Sequence, residues 1–275
     1  MNHVVHGQEL GLRHYHHAMA NPAIRNDESR STVLRAIAVL EVFTAEDTEL
    51  SLGVLADRSG NPRSSTHRLV TDLVTCGFLE RGQYGYRLGA KLFEIGHLVP
   101  LHRRLREAAL PFMQDLLEAT HLTVNLAVRD GNEIVYVEKL VQRGTRVPHT
   151  RSGGRLPMHC TGLGKAILAF SNKEEVEQIL ADQLVALTPH TITNPVDLRG
   201  DLADIRQTHV AFDDQESQLG LFCVASPVIG RHGLIGAISV TGAQAAEHTQ
   251  RLAPVVMTVA RALSRYLGAP QTSAG

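Results

Sequence analysis

The apolar positions of residues 31–60 follow the spacing of two short amphipathic helices. In the first helix they recur at intervals of three and four residues, at Ala36, Val39, Leu40 and Phe43. Ser31 stands where an N-cap is expected. After a polar, acidic break, Ser51 can cap a second helix, and Gly60 can end it in a left-handed conformation. The pattern therefore predicts two consecutive helices that bury one side each.

A third helix is predicted from Asn61, as cap, and Pro62, in the first turn, to Cys76. One side of it carries Thr66, Leu69, Leu73 and Cys76. The other side is polar and carries Ser64, His67, Arg68, Thr71 and Thr75. Residues 78–81 and 86–88 then have the pattern of a short hairpin with a glycine-rich tip. Three helices followed by such a hairpin predict a winged helix-turn-helix domain.

The remaining pattern predicts a connecting helix and a second domain. Residues 90–106 are helical in pattern and rich in Lys and Arg. Strands are predicted over 124–128, 134–137, 222–229 and 234–241, and helices over 162–170, 173–184, 202–208 and 246–267. This is an α+β fold with an antiparallel sheet. The predicted organisation is a flexible N-terminal arm (1–28), the winged helix (29–89), a linker helix (90–106) and the second domain (107–270).

Composition places the chain among globular proteins. Of its 275 residues, 43 % are apolar and 20 % charged. No apolar run approaches the length of a membrane span, so no membrane partner is expected. Residues 1–27 lack the continuous apolar core of a signal peptide, which favours a cytoplasmic protein. The cysteines are Cys76, Cys160 and Cys223, whose spacing suits neither a disulfide framework nor a zinc site. We therefore expect no metal and no cofactor.

Charge is sorted along the first domain although the net charge is only -1. Residues 41–57 contain five carboxylates and no Lys or Arg. Residues 58–106 contain nine Lys or Arg, against Asp72, Glu80 and Glu94. A basic end on a winged helix is typical of a domain that contacts nucleic acid phosphates.

The residues between Ser31 and Gly268 resemble the IclR family of bacterial regulators. The segments that carry this resemblance are Leu34–Ile37 with Leu40–Glu41, Leu50–Leu52 with Leu55–Ala56, Arg63–Leu69, Tyr86–Gly89, Leu156–Gly162 with Gly164–Ala166, Asp213–Asp214 with Glu216 and Gly220, Cys223–Pro227, and Ile238–Val240. Their order and spacing together are highly specific. The resemblance implies a winged helix for double-stranded operator DNA, a GAF-like domain for a small-molecule effector, and homodimers or tetramers.

The recognition helix of such a domain enters the major groove with its N-terminal part. The outward residues of its first turns are then the candidate DNA contacts: Arg63, Ser64, Ser65, His67, Arg68 and Thr71. In the wing the candidates are Arg81, Gln83 and Tyr84. The alternative is a solvated polar helix face, against which the hairpin and the family resemblance both weigh. Because each subunit supplies few cationic contacts, we expect a dimer on an inverted repeat.

The candidate effector site begins at Thr161, which can cap a helix whose glycine start leaves N–H groups open to a small carboxylate. Ser239 and Thr241 point to the same face of one strand. The resemblance implies an effector pocket lined by Gly162, Leu163, Asp213, Cys223, Ser239 and Thr241. Because Asp213 would repel a carboxylate, we expect it to meet an effector hydroxyl, a water or a backbone amide.

Other interpretations of these residues stay open. Cys223 can be a small core residue, and Ser239 and Thr241 can satisfy cross-strand hydrogen bonds. A metal site from His159, Cys160, Asp213 and Cys223 is not demanded by the spacing. A phosphate loop fails because a Walker motif needs glycine at His159 and Ser or Thr at Ala166.

Three functions compete. The first is an effector-controlled transcription regulator without enzymatic activity. The second is an enzyme with Cys223 or Cys160 as nucleophile beside His159, which would leave the winged helix without a purpose. The third is a ligand-independent DNA-binding protein whose C-terminal domain only oligomerises. We expect the first.

Overall fold

The computed structural model describes residues 31–44, 46–142, 150–243 and 246–268. The chain divides between Arg103 and Arg104 into two compact units, here called the N-terminal and C-terminal units. The arm predicted over 1–28 lies outside the described residues. No helix among those described is long and apolar enough to cross a bilayer.

The N-terminal unit is a winged helix, as predicted. Its elements are α1 (Thr32–Glu41), α2 (Leu52–Ser59), α3 (Arg63–Thr75), β1 (Leu79–Arg81), β2 (Tyr86–Leu88) and α4 (Ala90–Gly96). Ser31 and Ser51 cap α1 and α2 by accepting the backbone N–H groups of Leu34 and Val54. Gly60 ends α2 with a φ of 66°. The core between these elements contains Val39, Leu55, Leu69 and Leu79, all buried.

The start of α3 differs from the prediction. Pro62 is the cap residue and offers no side-chain hydrogen bond. Asn61 is buried instead, and its amide nitrogen donates to the Arg35 carbonyl and the Ser59 hydroxyl, each at 3.2 Å. The side chain ties α1 and α2 together because buried amides must find partners. At the other end, Cys76 is exposed and does not continue the inward side.

The stretch predicted as one linker helix over 90–106 is divided in two. The first helix, α4, ends at Gly96, and α5 (Pro100–Thr120) begins at the next proline. Proline lacks an N–H group and disfavours helical geometry in the residue before it, but it suits a first turn. The second helix continues to Thr120 because a buried stripe follows at Leu105, Ala109, Met113 and Leu116.

The C-terminal unit is built on a six-stranded antiparallel sheet, which confirms the α+β class. The strands are β3 (Thr123–Asp130), β4 (Glu133–Leu140), β5 (Arg155–Pro157), β6 (Ala211–Asp214), β7 (Phe222–Gly230) and β8 (Gly233–Gly242), in the spatial order β5-β4-β3-β8-β7-β6. The helices after β5 are α6 (Gly162–Ala169), α7 (Lys173–Ala181), α8 (Pro195–Thr208), α9 (Ala246–Arg251) and α10 (Ala253–Tyr266). The predicted final helix over 246–267 is thus two helices, since Pro254 lies in the first turn of α10.

The two faces of this sheet are covered differently. One face packs its apolar side chains against α5 and α10 through residues such as Met113, Leu126 and Val256. The opposite face packs against α6, all of whose residues are buried. On that second face the strands carry polar side chains at alternate positions, and the candidate ligand site lies there.

Candidate DNA interface and ligand site

The candidate recognition residues of α3 share one solvent-facing side. Thr66, Leu69 and Leu73 are buried against the N-terminal core. Arg63, Ser64, His67, Arg68 and Thr71 are exposed, and Ser65 is half-buried. The Thr71 hydroxyl donates to the His67 carbonyl at 2.9 Å, so it bonds within its own helix. Neither Arg63 nor Arg68 forms an ion pair with a described residue, which leaves both guanidinium groups available to phosphates or guanine.

The wing is fixed to the body of the unit by backbone pairing. Leu50 and Tyr86 exchange two hydrogen bonds of 2.8 Å, which form an isolated β-bridge between the segment before α2 and β2. Tyr84 is 80 % exposed at the tip. The guanidinium carbon of Arg81 lies 5.8 Å from the centre of the ring of Tyr86, its partner on the neighbouring strand, which is a cation–π contact.

The candidate ligand site begins where α6 meets the sheet. Thr161 Oγ1 accepts the Gly164 N–H at 3.0 Å and donates to the Pro157 carbonyl at 3.1 Å. A Cβ at Gly162 would lie 3.1 Å from Cys223 Sγ, so this helix start sits directly on β7. Leu163 is buried beside it. Thr161 takes up the Gly164 N–H, whereas the N–H groups of Gly162 and Leu163 have no acceptor in the helix or its cap and lie at the positive end of the helix dipole.

Sheet register brings most of the other candidates together under that helix. Cys223 on β7 pairs with Asp213 on β6 and with Thr241 on β8. Ser239 lies two residues before Thr241 on β8. Asn125, opposite Ser239 on β3, donates from Nδ2 to Thr241 Oγ1 at 3.2 Å and to Ser239 Oγ at 3.4 Å. The hydroxyl oxygens of Ser239 and Thr241 thus accept hydrogen bonds from the neighbouring strand, as one interpretation of the sequence expected.

Asp213 is held by its own loop. One carboxylate oxygen accepts the backbone N–H groups of Glu216 and Ser217 at 2.8 and 3.3 Å, and the other accepts the Ser217 hydroxyl at 2.6 Å. The sequence predicted an effector hydroxyl, a water or a backbone amide as the partner of Asp213. In the structure its partners are two backbone amides and the hydroxyl of Ser217. Burial raises the pKa of Asp213 to about 6 despite these hydrogen bonds.

A buried charge cluster adjoins this loop. Lys165 on α6 lies 2.5 Å from Glu216 and 2.8 Å from Asp201 on α8. Burial lowers the pKa of Lys165, but the two carboxylates outweigh it and the net direction is upward. Burial raises the pKa of Glu216 to about 7, and the charges of Asp213 and Asp201 add to this effect. Lys165 is the cation for three neighbouring carboxylates, those of Glu216, Asp201 and Asp213. Its charge does not offset burial, so Glu216 and Asp213 hold their protons to a higher pH than usual.

Cys160, Cys223 and His159 are buried, and burial shifts the pKa of each side chain in favour of its neutral form. Burial raises the pKa of Cys223 to about 12, against hydrogen bonds from Thr241 and Ser239, and burial also raises that of Cys160. Burial lowers the pKa of His159, whose Nε2 lies 3.0 Å from the Val185 carbonyl oxygen. Across the described ranges, no group of three or more His, Cys, Asp or Glu side chains is placed to hold a metal ion.

Several residues of this site were not found from the sequence. Asn125 and Ser217 bond directly to candidate residues, and Tyr136 is buried near Cys223, Asp213 and Cys160, whose charges help to raise its pKa after burial itself. Asn125 interrupts an apolar strand pattern, and that interruption was the available signal. Tyr136 is indistinguishable in pattern from a core aromatic residue.

Comparisons with known proteins agree with this architecture. The family description "IclR helix-turn-helix domain" matches residues 32–83, and "Bacterial transcriptional regulator IclR C-terminal" matches residues 98–265. The HTH-type transcriptional regulator XynR of Escherichia coli is 32 % identical over 246 residues, which are 87 % of this chain and 98 % of that protein. The transcriptional repressor IclR of Escherichia coli is 34 % identical over 217 residues, or 77 % of this chain and 79 % of the repressor.

A solved structure extends the similarity to three dimensions. An IclR homolog from Microbacterium hydrocarbonoxydans, complexed with 4-hydroxybenzoate, superposes with a TM-score of 0.79 at 29 % identity and covers 86 % of this chain and 99 % of its own. The fold agrees with the two family matches, since a winged helix is followed by an α+β domain. The relative XynR also aligns over nearly its whole length. The chain belongs to the IclR family of DNA-binding transcriptional regulators.

Proposed function

We propose that this protein is a sequence-specific regulator whose DNA binding is controlled by a small organic acid bound in the C-terminal unit. The observation that carries the proposal is the polar cluster sealed between the start of α6 and the sheet. Cys223, Ser239, Thr241 and Asp213 are all buried there, each at most 8 % exposed. Polar groups are costly to bury, and a few convergent polar groups in apolar surroundings are typical of a small-molecule site.

An acid is the ligand class that this site favours. The first turn of α6 offers backbone N–H groups and the positive end of its dipole, which together attract carboxylates. Asp213 opposes an anion less than an open carboxylate would, because three donors of its own loop surround its oxygens. The Microbacterium relative with bound 4-hydroxybenzoate is consistent with an acidic ligand in this fold.

The candidate DNA contacts are Arg63, Ser64, Ser65, His67, Arg68 and Thr71 of α3, with Arg81 and Tyr84 of the wing. We propose that a homodimer presents two copies of this surface to an inverted repeat. Phe93, Ile95, Leu98 and Val99 expose large apolar side chains in and after α4, and exposed apolar clusters mark protein contacts. Pairing of dimers into tetramers is the larger assembly that sedimentation would detect. Such a regulator acts in the cytoplasm, where operator DNA lies.

The proposal assigns no bond chemistry to the cluster. A nucleophilic cysteine needs a lowered pKa and a base in reach, whereas Cys223 and Cys160 have raised pKa values and the His159 ring faces a carbonyl. The competing function is ligand-independent DNA binding with a C-terminal unit that only oligomerises.

The decisive experiment is a gel shift with the purified protein on its own upstream region. It is run at two salt concentrations, with and without a panel of small organic acids. A specific shift that weakens with salt and changes with one acid supports the proposal. A specific shift that no acid alters, with acid binding also absent by calorimetry, favours the ligand-independent protein.

A further inference from the structure

The amide of Asn125 is satisfied on one side only. The side chain is 3 % exposed, and its nitrogen donates to Thr241 and Ser239. Its oxygen, Oδ1, finds no hydrogen-bond donor within the part of the chain that the structure describes. A buried acceptor left without a donor costs about 1 to 3 kcal/mol, so an arrangement of this kind calls for a partner that the chain itself does not supply.

The hydrogen-bond directions around Asn125 show which chemistry would satisfy that oxygen. The hydroxyl oxygens of Ser239 and Thr241 accept from the amide nitrogen. Both hydrogen bonds of this amide group are thus made by its nitrogen. The free position at Asn125 is an acceptor, and it requires an O–H or N–H group from outside the chain.

Strand register places Asn125 near the start of α6. Cys223 lies opposite Thr241 on the neighbouring strand, and its Sγ lies 3.1 Å from the position of a Cβ on Gly162. Small side chains occupy this face, including Ala127 on β3 and Ala225 on β7. In strand order, β8 with Ser239 and Thr241 therefore lies between Asn125 on β3 and Cys223 on β7, which is next to the start of α6.

We propose that Asn125 is a specificity-determining residue of the ligand site, whose Oδ1 accepts a hydrogen bond from the ligand, so that the effector is an acid bearing a hydroxyl or another hydrogen-bond donor. The inference rests on the proposed function and deepens it. The carboxylate binds the first turn of α6, and the donor group of the ligand reaches β3. An acid without that donor leaves Oδ1 unsatisfied and binds more weakly.

The test uses matched acids and the full-length protein. The probes are lactate against propionate, 4-hydroxybenzoate against benzoate, and lactate against pyruvate, with dissociation constants measured by calorimetry. We expect the hydroxylated member of at least one pair to bind the wild type about tenfold more tightly, the size of one hydrogen bond. Asn125→Ala should reduce that ratio towards one, and Asn125→Ser, which keeps an acceptor, should restore part of it.

Thr123→Val is the matched control, because Thr123 is buried two residues earlier on the same face of β3. It should leave the ratio unchanged. Circular dichroism and thermal melting establish that each variant folds, and the wild-type ratio tests the inference even if Asn125→Ala does not. Acids that bind without a preference for the hydroxylated member in any of the three pairs would overturn the role of Asn125 and leave the proposed function standing. If no acid binds the wild type, the proposed acid effector fails, and this inference with it.

Discussion

The carboxylate of Glu49 accepts a hydrogen bond of 2.7 Å from the backbone nitrogen of Tyr84, at the tip of the wing. A second bond of 3.3 Å comes from the N–H of Gln83. Gly82 stands so close that a Cβ there would overlap the carboxylate. An acidic residue thus fixes the loop that we propose to lie against DNA, although its charge alone would disfavour that contact.

Replacement of Glu49 tests this positioning. Glu49→Ala should loosen the wing, increase amide exchange at Gln83 and Tyr84, and weaken operator binding several-fold, with a loss of about 1 kcal/mol in stability of the N-terminal unit. Glu41→Ala is the control, because Glu41 is an exposed carboxylate of the same unit. Loss of negative charge by itself strengthens DNA binding, so an affinity rise in both variants would contradict the positioning role.

The recognition helix gives a second prediction. Arg68→Ala should cost about 1 to 3 kcal/mol of operator affinity. If Arg68 contacts a phosphate, the slope of log affinity against log salt should also fall by about one. Fluorescence anisotropy at several salt concentrations measures both quantities. Lys173→Ala, which removes an exposed cation from the C-terminal unit, should change neither; equal effects in the two variants would mean that Arg68 acts only through net charge.

Two glycines of one helix turn should respond differently to alanine. A Cβ at Gly164 would lie 2.3 Å from the Met158 carbonyl oxygen, so Gly164→Ala should lower the free energy of unfolding by about 3 kcal/mol or more. At Gly162 the nearest atom would be Cys223 Sγ at 3.1 Å, a contact that a small shift relieves. Gly162→Ala should therefore fold but bind acids more weakly, because the methyl group covers the first turn. Thermal unfolding and calorimetry compare them, and acid affinity unchanged by Gly162→Ala would argue against this binding mode.

The charge cluster around Lys165 predicts a pH dependence. The pKa of Glu216 is raised from 4.5 to about 7, so the folded state holds a proton that the unfolded chain has released. Stability of the C-terminal unit should thus fall as pH rises from about 4.5 to 7, by on the order of 2 kcal/mol from this group. The difference between wild type and Glu216→Gln, measured by urea unfolding at pH 5, 6, 7 and 8, isolates it from the histidines. A difference that does not vary with pH would contradict the prediction.

Removal of the cation from the Lys165–Glu216 ion pair is a complementary experiment. Lys165→Met leaves Glu216 and Asp201 without their cation and should destabilise the unit by about 3 to 5 kcal/mol. The double variant Lys165→Met with Glu216→Gln should recover part of that loss, since fewer uncompensated charges stay buried. Additive losses in the double variant would show that the two side chains do not interact.

Local sequence signals were enough to predict much of the fold. The caps at Ser31 and Ser51, the left-handed Gly60 and the hairpin after α3 all depend on neighbouring residues, and the structure has each of them. Errors arose where tertiary partners decide. Asn61 has the composition of a cap, but the Arg35 carbonyl and Ser59 compete for its amide and win.

Prediction of the candidate ligand site depended more on the pairing of distant strands than prediction of the winged helix did. Ser239 and Thr241 were paired by their alternation within one strand, which the sequence states directly. Asn125 joins them only because β3 pairs with β8, and nothing local specifies that register. Glu216 and Lys165 belong to a recognisable motif, yet their ion pair requires α6 to lie against the loop after β6. Site residues whose relation is local in the sequence, such as Ser239 and Thr241, were predicted. Contacts between residues far apart in the sequence, such as those of Asn125 with Ser239 and Thr241, were missed.

The pairing of β3 with β8 also orders events during synthesis. Asn125 and Ser239 are neighbours in the sheet, so the candidate ligand site cannot form until the ribosome has synthesised β8. The winged helix needs only contacts among residues near the beginning of the described chain, and such local topologies fold early. A nascent chain can therefore contain a folded winged helix before the candidate ligand site has formed.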